Sequence, residues 1–234
     1  MQKLFFELIQ VALGQLDCLE RGPAPEEWED MFHLSQRHGL TALTYDGVVR
    51  LFEYGLRAPQ DVSIDWMAAT ETDAVAVTFE EPLLSNGLRR MLYIRWKDRC
   101  GTSLYRYKGA DRQFTPETRI VMQLLQAFED FHHGTLTLRT AVDMFQVLHN
   151  AEHPLSNFGD GSSVSQMLQT FGIWRFSCAM MWVVNKVTAL DVNKMACPPD
   201  GSGGSFLLDQ LMSVGEKRPL IDSLKTRIKN FLKF

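Results

Sequence analysis

Two carboxylates stand one residue apart just before a predicted strand. Glu71 and Asp73 lie in the stretch ATETDAVAVTF, and no other acidic pair with this spacing precedes a strand. Carboxylate oxygens are the ligands that Mg²⁺ prefers in proteins. The pair is therefore the candidate metal site, with Glu80 or Glu81 as the candidate third carboxylate. The alternative interpretation is a solvated helix end before the strand.

A second group of metal-ligand types occurs at the end of a predicted helix. His132 and His133 follow Glu129 by three and four residues, a spacing that can place two ligands on one helix face. No nearby segment supplies further ligands at a regular spacing. A polar helix end is therefore favoured over a zinc site, and no metal ligand is assigned here.

Arg139 and Asp143 place an opposed charge pair inside LTLRTAVDMFQVLH, whose apolar residues have helical spacing. Residues four apart share a helix face, but arginine before aspartate is the weaker order for such a pair. An exposed pair contributes only about 0.3–0.5 kcal/mol to stability. We therefore predict that both side chains are largely buried and that each bonds to groups outside its own turn. The alternative is an arginine that faces a ligand.

Basic and aromatic residues are interleaved between Arg89 and Arg112, where eight Lys/Arg stand against two Asp. The segments RRMLYIRWK and TSLYRYK flank DRCG. Alternation on both sides of a glycine-containing loop predicts an antiparallel hairpin with Cys100 near its tip.

Cations and aromatic rings on one sheet can bind phosphates and stack on bases. Arg95, Lys97 and Arg106 are the candidate binding residues of this kind. The favoured interpretation is a sheet whose aromatic rings cover the helical core and whose cations meet an acidic surface. Nucleic-acid binding is the alternative, and a nucleic-acid partner is not expected.

The other candidate loops and reactive side chains lack the sequence context of a phosphate-binding, catalytic or metal site. The GSGG stretch at residues 201–204 follows two prolines rather than a strand, so it is not a phosphate-binding loop. No serine stands in a G-x-S-x-G context, and no Cys/His dyad is indicated. The four cysteines show no ligand spacing, which favours free thiols in a reducing compartment.

The composition is that of an ordinary globular protein. Hydrophobic residues make up 45% and charged residues 22%, and the net charge of −4 gives no global reason to bind nucleic acid or an anionic membrane. The longest apolar run, Cys178–Val184, is too short to span a bilayer. The N-terminal stretch lacks a signal-peptide cleavage site, so we expect a cytoplasmic protein without a transmembrane segment.

The elements that must position these residues are mostly helices. Periodicity and capping signals predict four helices before residue 70, a strand at Val75–Phe79, and a helix that begins near Thr115 and ends at Gly134. Further helices are predicted at Val164–Phe171, Trp174–Leu190 and Phe206–Met212, with ACPPDGSGG as a flexible segment. The predicted fold class is mainly α (α+β), a helical body with a small antiparallel β insert around residues 74–108.

One domain of four segments is the predicted organisation. They are a helical block at residues 1–70, the β insert at 71–113, a second helical block at 114–216 and a basic amphipathic helix at 217–234. The last segment carries six Lys/Arg against one Asp. Docking of its apolar face on the helical body is favoured over binding to an anionic membrane surface.

Two blocks of the chain carry ordered short motifs. The first, residues 4–67, contains LFFELIQVALG, EEWEDMFHLSQRHGLTALTYDGVVRL and DWM. The second, residues 115–212, contains LTLRTAVDMF, FGIWRFSCAMMWVV and GGSFLLDQLM. Together they resemble an uncharacterised nucleotidyltransferase-like family of bacterial polysaccharide gene clusters, and LTLRTAVDMF looks like that family's Leu-Arg-x-x-x-Asp helix. The resemblance covers about two-thirds of the chain.

The resemblance also shows a departure. Family members carry a catalytic palm between the two blocks, with a Gly-x-Asp-x-Asp-like strand whose carboxylates hold Mg²⁺ against the triphosphate. Here the intervening stretch is too short for a complete palm, and no Gly-Ser or Gly-Asp turn precedes Glu71 and Asp73. The resemblance therefore implies a bacterial member with a degenerate active site.

The predicted function is a non-catalytic binding or scaffold module related to nucleotidyltransferases, with no cofactor and with a protein or small molecule as partner. The first alternative is a nucleotidyltransferase with a minimised palm, which would use Mg²⁺ at Glu71 and Asp73 to transfer a nucleotidyl group to a small acceptor. The second alternative is nucleic-acid binding through the basic hairpin.

Overall fold

The structure is a computed structural model that describes residues 1–73, 81–108, 111–151, 155 and 161–213. Two compact units make up the chain. The first contains the described residues of Met1–Glu80, Thr137–Val142 and Val184–Ala189, and the second contains those of Glu81–Leu136, Asp143–Val183 and Leu190–Phe234. The predicted organisation as one domain of four segments stays a prediction.

Four helices and a short 3₁₀ turn form most of the first unit. They are α1 (Gln2–Ala12), α2 (Pro25–Arg37), α3 (Thr41–Leu51), the 3₁₀ turn Phe52–Tyr54 and α4 (Gln60–Asp73). Pro25 occupies the first turn of α2, and the Glu27 carboxylate accepts a hydrogen bond from the Ala24 amide at 2.9 Å. Gly39 and Gly55 follow α2 and the 3₁₀ turn with φ values of 63° and 77°. Both glycines end their helical segments.

The core of the first unit is an aromatic cluster around Trp66. Its side chain is completely buried, and its ring centroid lies 6.5 Å from that of Trp28 and 5.4 Å from that of Phe32. The indole N–H donates to Oγ1 of Thr44 at 3.2 Å, which satisfies the buried polar atom. Helices α1 and α3 approach closely because Gly47 has no side chain: a Cβ there would lie 2.8 Å from the carbonyl oxygen of Leu8.

Helices and one hairpin build the second unit. The remaining described elements, in chain order, are α5 (Gly87–Cys100), a 3₁₀ turn (Gly101–Leu104), β1 (Tyr105–Lys108), β2 (Asp111–Phe114), α6 (Pro116–His133), α7 (Leu138–His149), α8 (Val164–Thr170), α9 (Trp174–Thr188), a 3₁₀ turn (Val192–Lys194) and α10 (Gly201–Met212). Residues 137–142 and 184–189 of this range belong to the first unit. None of the helices within the described ranges has the length and apolar character to span a membrane.

The predicted fold class is confirmed. Ten α-helices and a two-stranded antiparallel sheet make up the regular structure of the described residues. The sheet pairs Tyr105 with Phe114 and Lys108 with Asp111. It therefore lies later in the chain than the predicted insert at 74–108, with which only β1 overlaps. The predicted strand Val75–Phe79 lies outside the described residues.

The hairpin predicted for Arg89–Arg112 is wrong over its first half. Residues 87–100 form α5, so Cys100 ends a helix instead of lying near a hairpin tip. The Asn86 side chain caps this helix by accepting from the amides of Leu88 at 3.0 Å and Arg89 at 3.2 Å. Tyr93, Trp96 and Cys100, three and four residues apart, are the buried face of the helix. This burial at helical spacing outweighs the β preference of the aromatic side chains.

The segment ACPPDGSGG is also different from its prediction, because GSGG forms the first turn of α10. The Asp200 side chain accepts from the Ser202 amide at 3.0 Å and caps the helix. Gly204 has a packing role: a Cβ at this position would lie 2.5 Å from the indole of Trp182. The glycines therefore serve close helix packing instead of flexibility. The predicted basic helix at 217–234 lies outside the described residues.

Candidate functional site

A cleft of about 760 Å³ lies entirely within the second unit. Its walls come from α5, α6 and the extended segment that precedes α5. The lining residues are Pro82, Leu83, Leu84, Ser85, Arg90, Tyr93, Ile94, Gln126, Glu129, Asp130, His133 and Thr135. The volume falls within the range of small-molecule pockets, which is about 300–1,000 Å³.

Side chains of α6 hold the extended segment in place. The Leu83 amide donates to Oε1 of Gln126 at 2.8 Å, and the Ser85 amide donates to Oε2 of Glu129 at 3.3 Å. The Ser85 hydroxyl also donates to Oε2 of Glu129. These bonds satisfy backbone groups that have no helix or strand partner. The segment then leads into Asn86, which caps α5, so one wall of the cleft is fixed at both ends.

Glu129 is a buried carboxylate at the floor of the cleft, with 2% of its surface exposed. Besides Ser85, it meets Arg89, whose Nη1 lies 3.4 Å from Oε1 of Glu129. The Arg89 guanidinium lies 4.2 Å from the centre of the Phe128 ring, and its Nε donates to the carbonyl oxygen of Phe171 at 3.4 Å. A buried charge needs such compensation to remain in the interior. Glu129 therefore joins α5, α6 and the extended segment.

Tyr93 is a lining residue of the cleft with a buried hydroxyl. Its side chain is 6% exposed, and among the described residues its hydroxyl has no hydrogen-bond partner. Burial raises the pKa of Tyr93 above its ordinary value, and the nearby Glu81 and Tyr105 raise it further. The phenol is therefore neutral and able to donate or accept a hydrogen bond. An unpaired buried polar atom is costly in free energy.

The remaining lining groups combine apolar walls with a few charges. Ile94 and Leu83 are exposed apolar residues, at 49% and 82% exposure. The half-buried Asp130 accepts from Nε2 of Gln126 at its Oδ1, at 2.8 Å. Arg90 and His133 are exposed. Apolar walls with a small number of placed polar groups are typical of binding sites for small molecules.

Arg139 and Asp143 are half-buried, so the prediction that both are largely buried is wrong. Arg139 nevertheless bonds outside its own turn, because Nη1 donates to the carbonyl oxygen of Gly39 at 2.8 Å. Gly39 directly follows the C-terminal residues of α2, where the helix dipole favours a cation. The role of Arg139 is thus to hold the end of α2 within the first unit. The predicted role of Asp143 stays a prediction.

Arg139→Ala should lower the free energy of unfolding by about 1.5–3 kcal/mol, because the Gly39 carbonyl loses a charge-assisted hydrogen bond. Chemical denaturation measures this change. Arg57→Ala is the matched control, since Arg57 is an exposed arginine of the same unit. A surface change of that kind alters stability by less than about 0.5 kcal/mol. Equal unfolding midpoints for the two variants would contradict the structural role of Arg139.

The three candidate cations of the predicted hairpin are not brought together on a sheet. Arg95 and Lys97 lie on α5, two residues apart, and Arg106 is an exposed residue of β1. Lys97 pairs with Glu81 and lies 5.6 Å from the centre of the Tyr93 ring. Positions two apart on a helix do not share a face. The interleaved cations and aromatic rings therefore do not form the predicted stacking platform.

The candidate metal-binding residues differ in whether the structure describes their side chains and in what those side chains contact. Glu71 and Asp73 belong to the last turn of α4, but their side chains and Glu80 lie outside the described part. Glu129 is engaged by Ser85 and Arg89, as described above. His132 packs its ring against Phe128 with centroids 4.5 Å apart, and burial lowers its pKa, with a further decrease caused by Arg89.

No group of three or more His, Cys, Asp or Glu side chains in the described ranges has the arrangement of a metal site. The cleft was not predicted from the sequence, although Glu129 was considered as a metal ligand together with His132 and His133. One signal was present: Asn86 precedes apolar and aromatic residues at helical spacing, which is typical of a capped helix.

Comparison with protein-family models, with curated proteins and with solved structures finds no match to this chain. The resemblance to the nucleotidyltransferase-like family therefore stays a prediction.

Proposed function

We propose that this protein is a non-catalytic binding module whose second unit takes a small-molecule ligand in the cleft between α5 and α6. The observation that carries this proposal is the preformed cleft, with apolar walls and a few placed polar groups, whose lining includes Tyr93. The cleft is preformed, because Glu129, Gln126 and Asn86 fix its walls. Preorganisation lowers the entropic cost of binding.

The bonding of the acidic groups supports binding instead of catalysis. Glu129 is committed to Ser85 and Arg89, and Asp130 shares Oδ1 with Gln126. These carboxylates therefore stabilise the walls of the cleft. We place the module in the cytoplasm and regard it as a relative of the helical part of nucleotidyltransferases, as the sequence predicts.

The minimised-palm alternative makes a separate prediction. Such an enzyme would bind Mg²⁺ together with a nucleoside triphosphate, and this binding would depend on Glu71 and Asp73. We expect no such binding, because no Gly-Ser or Gly-Asp turn precedes the pair. A thermal-shift measurement with MgATP, MgCTP and MgUTP tests this. Thermal stabilisation of the parent protein that is absent in the Glu71→Ala/Asp73→Ala variant would contradict the binding module and support the nucleotidyltransferase.

A fragment screen by ligand-observed NMR tests the proposed function. Ile94→Trp places a large side chain at the mouth of the cleft, and Ile94 is half-exposed, so the core is not disturbed. Leu88→Trp is the matched control, because Leu88 lies on the same helix, is 63% exposed and does not line the cleft. We expect fragments that bind the parent and Leu88→Trp but bind Ile94→Trp at least about tenfold more weakly.

Two outcomes of the screen would overturn the proposal. One is a screen in which no fragment binds the parent protein. The other is a set of fragments that bind Ile94→Trp as tightly as Leu88→Trp, which would place binding elsewhere. Circular dichroism of both tryptophan variants shows that the fold is retained.

A further inference from the structure

Cys178 and Cys197 are a pair of thiols in the second unit, and neither lines the cleft. Cys178 belongs to α9, and Cys197 lies in the segment between the 3₁₀ turn Val192–Lys194 and α10. Both are free cysteines and are buried, at 8% and 5% exposure. The Cys197 thiol donates a hydrogen bond to the sulfur of Cys178. The two sulfur atoms are therefore direct neighbours.

The backbone around these thiols is held by its own contacts. The Asp200 amide donates to the carbonyl oxygen of Cys178 at 2.9 Å, and the Asp200 side chain caps α10. Trp182 lies one turn after Cys178 on α9 and packs against the start of α10, where a Cβ added to Gly201 would lie 3.3 Å from the indole nitrogen. The chain is thus anchored to α9 just after Cys197 and beside Cys178 itself, which keeps the two thiols together.

The two thiols differ in how readily they lose a proton. The hydrogen bond from Cys197 lowers the pKa of Cys178, against the opposing effects of burial and of the Asp200 charge. The same hydrogen bond, together with burial, raises the pKa of Cys197. The thiolate is the form of cysteine that acts as a nucleophile. Cys178 is therefore the nucleophile of the pair, and Cys197 is a protonated neighbour that can react in a second step.

We propose that Cys178 and Cys197 are an oxidation site, at which a peroxide converts the two thiols into a disulfide that links α9 to the segment before α10 and stabilises the second unit against unfolding. A reactive thiol with a second thiol beside it is the arrangement of redox-sensing cysteines. None of the residues that line the cleft takes part, so the inference does not depend on the proposed function.

The oxidation has two steps. The Cys178 thiolate attacks one oxygen of hydrogen peroxide, the O–O bond breaks, and a sulfenic acid forms, while the released hydroxide takes up the proton that Cys178 lost and becomes water. The Cys197 sulfur then attacks the Cys178 sulfur, the S–O bond breaks, and the hydroxyl group leaves as water with the proton of Cys197. The thiols lose two electrons and two protons in total, and one peroxide molecule is reduced to two water molecules.

Peptide mapping of the folded protein tests the site. After treatment with hydrogen peroxide, free thiols are alkylated and the protein is digested with trypsin without reduction. Cleavage places the two cysteines in separate peptides, residues 176–186 and 195–217. We expect most of these peptides to be joined, with a mass lower than their sum by two hydrogen atoms, and to separate after dithiothreitol treatment. Alkylated Cys178 and Cys197 in protein whose exposed Cys18 is oxidised would overturn the inference.

Serine variants distinguish the roles of the two thiols. Cys197→Ser keeps a hydroxyl donor beside Cys178 and removes the second thiol, so oxidation of Cys178 should stop at the sulfenic acid, which dimedone labels. In Cys178→Ser, dimedone should label Cys197 at least about tenfold less, because its thiol stays protonated. Cys100→Ser is the matched control, because Cys100 is also buried and both thiols of the pair remain. Equal labelling in the first two variants would overturn the role of Cys178, and loss of the disulfide in Cys100→Ser would overturn the pairing.

Calorimetry measures the effect of the link on stability. The disulfide closes the chain between α9 and the segment before α10 into a covalent loop, which lowers the entropy of the unfolded chain. The oxidised protein should therefore melt about 5–10 °C above the reduced protein, and dithiothreitol should reverse the increase. Cys100→Ser should show the same increase, and Cys197→Ser should show none. Equal melting temperatures for the oxidised and reduced parent protein would overturn the stabilising link.

Discussion

Glu129→Ala should lower the free energy of unfolding by about 3–5 kcal/mol, because it removes one member of a buried ion pair and leaves the other without its counter-charge. The side chain is 2% exposed and joins Arg89 to Ser85. Its loss leaves the Arg89 guanidinium, 21% exposed, without its carboxylate. Chemical denaturation followed by circular dichroism measures the change. Glu53→Ala, an exposed glutamate of the other unit, should differ from the parent by less than about 0.5 kcal/mol.

A double-mutant cycle separates the pair from the general effect of truncation. If Arg89 and Glu129 stabilise each other, the loss in Arg89→Ala/Glu129→Ala should be smaller than the sum of the two single losses by about 0.5–3 kcal/mol. Additive losses would show that Glu129 acts only through Ser85. Equal free energies of unfolding for Glu129→Ala and Glu53→Ala would contradict the structural role of Glu129.

Acidification from pH 6.5 to 4 should destabilise the first unit by about 3 kcal/mol through His38 alone. His38 is 1% exposed, and burial, assisted by the charge of Arg37, lowers its pKa to about 4. Its Nδ1 accepts from the Leu138 amide at 3.5 Å, and its Nε2 has no partner among the described residues. The unfolded chain binds a proton near pH 6.5 and the folded chain binds it only near pH 4. The stability is therefore complete above pH 6.5 and is lost as the pH falls to 4.

Unfolding free energies measured between pH 7.5 and 4 test this prediction. His38→Asn keeps an acceptor for the Leu138 amide and cannot titrate, so its stability should lose that part of the pH dependence. His33→Asn is the matched control, because His33 is exposed on α2, the helix that ends directly before His38. A pH profile for His38→Asn that is parallel to the profile of His33→Asn would contradict the assignment.

Local signals in the sequence were sufficient to predict both ends of α6. Thr115 caps α6 by accepting from the Thr118 amide at 3.2 Å, and Gly134 ends it with a φ of 73°, both as predicted. The capping residue and the glycine act within one turn of the chain, so their effect can be predicted without tertiary contacts.

Helix α5 was not predicted, because its sequence fits both the alternation of a strand and the spacing of a helix face. Aromatic and β-branched residues in RRMLYIRWK fit a strand by alternation. The same segment places Tyr93, Trp96 and Cys100 on one helix face. The choice depends on tertiary packing, including the contact of Trp96 with Phe171 at a centroid distance of 5.9 Å. These partners lie far apart in sequence, so the local helix signal at Asn86 does not by itself decide between the two structures.

The cleft could not be predicted for the same reason. Ser85 and Glu129 are 44 residues apart, and their hydrogen bond fixes one wall. Glu129 was considered with His132 and His133 because of its spacing within one helix, although its partners come from elsewhere in the second unit. Likewise, the GSGG segment has the composition of a loop but belongs to a helix in which Gly204 packs closely on Trp182.

The central claim is that the cleft of the second unit, which Tyr93 lines, takes a small-molecule ligand. ¹³C NMR of protein labelled at the Cζ atoms of its five tyrosines measures binding beside Tyr93, with Tyr93→Phe assigning the signal. During a titration with a fragment that binds the parent protein, the Tyr93 signal should shift in a saturable way, and the signal of Tyr54, exposed in the first unit, should stay in place. A Tyr93 signal that remains unchanged with every fragment that binds the protein would contradict the claim.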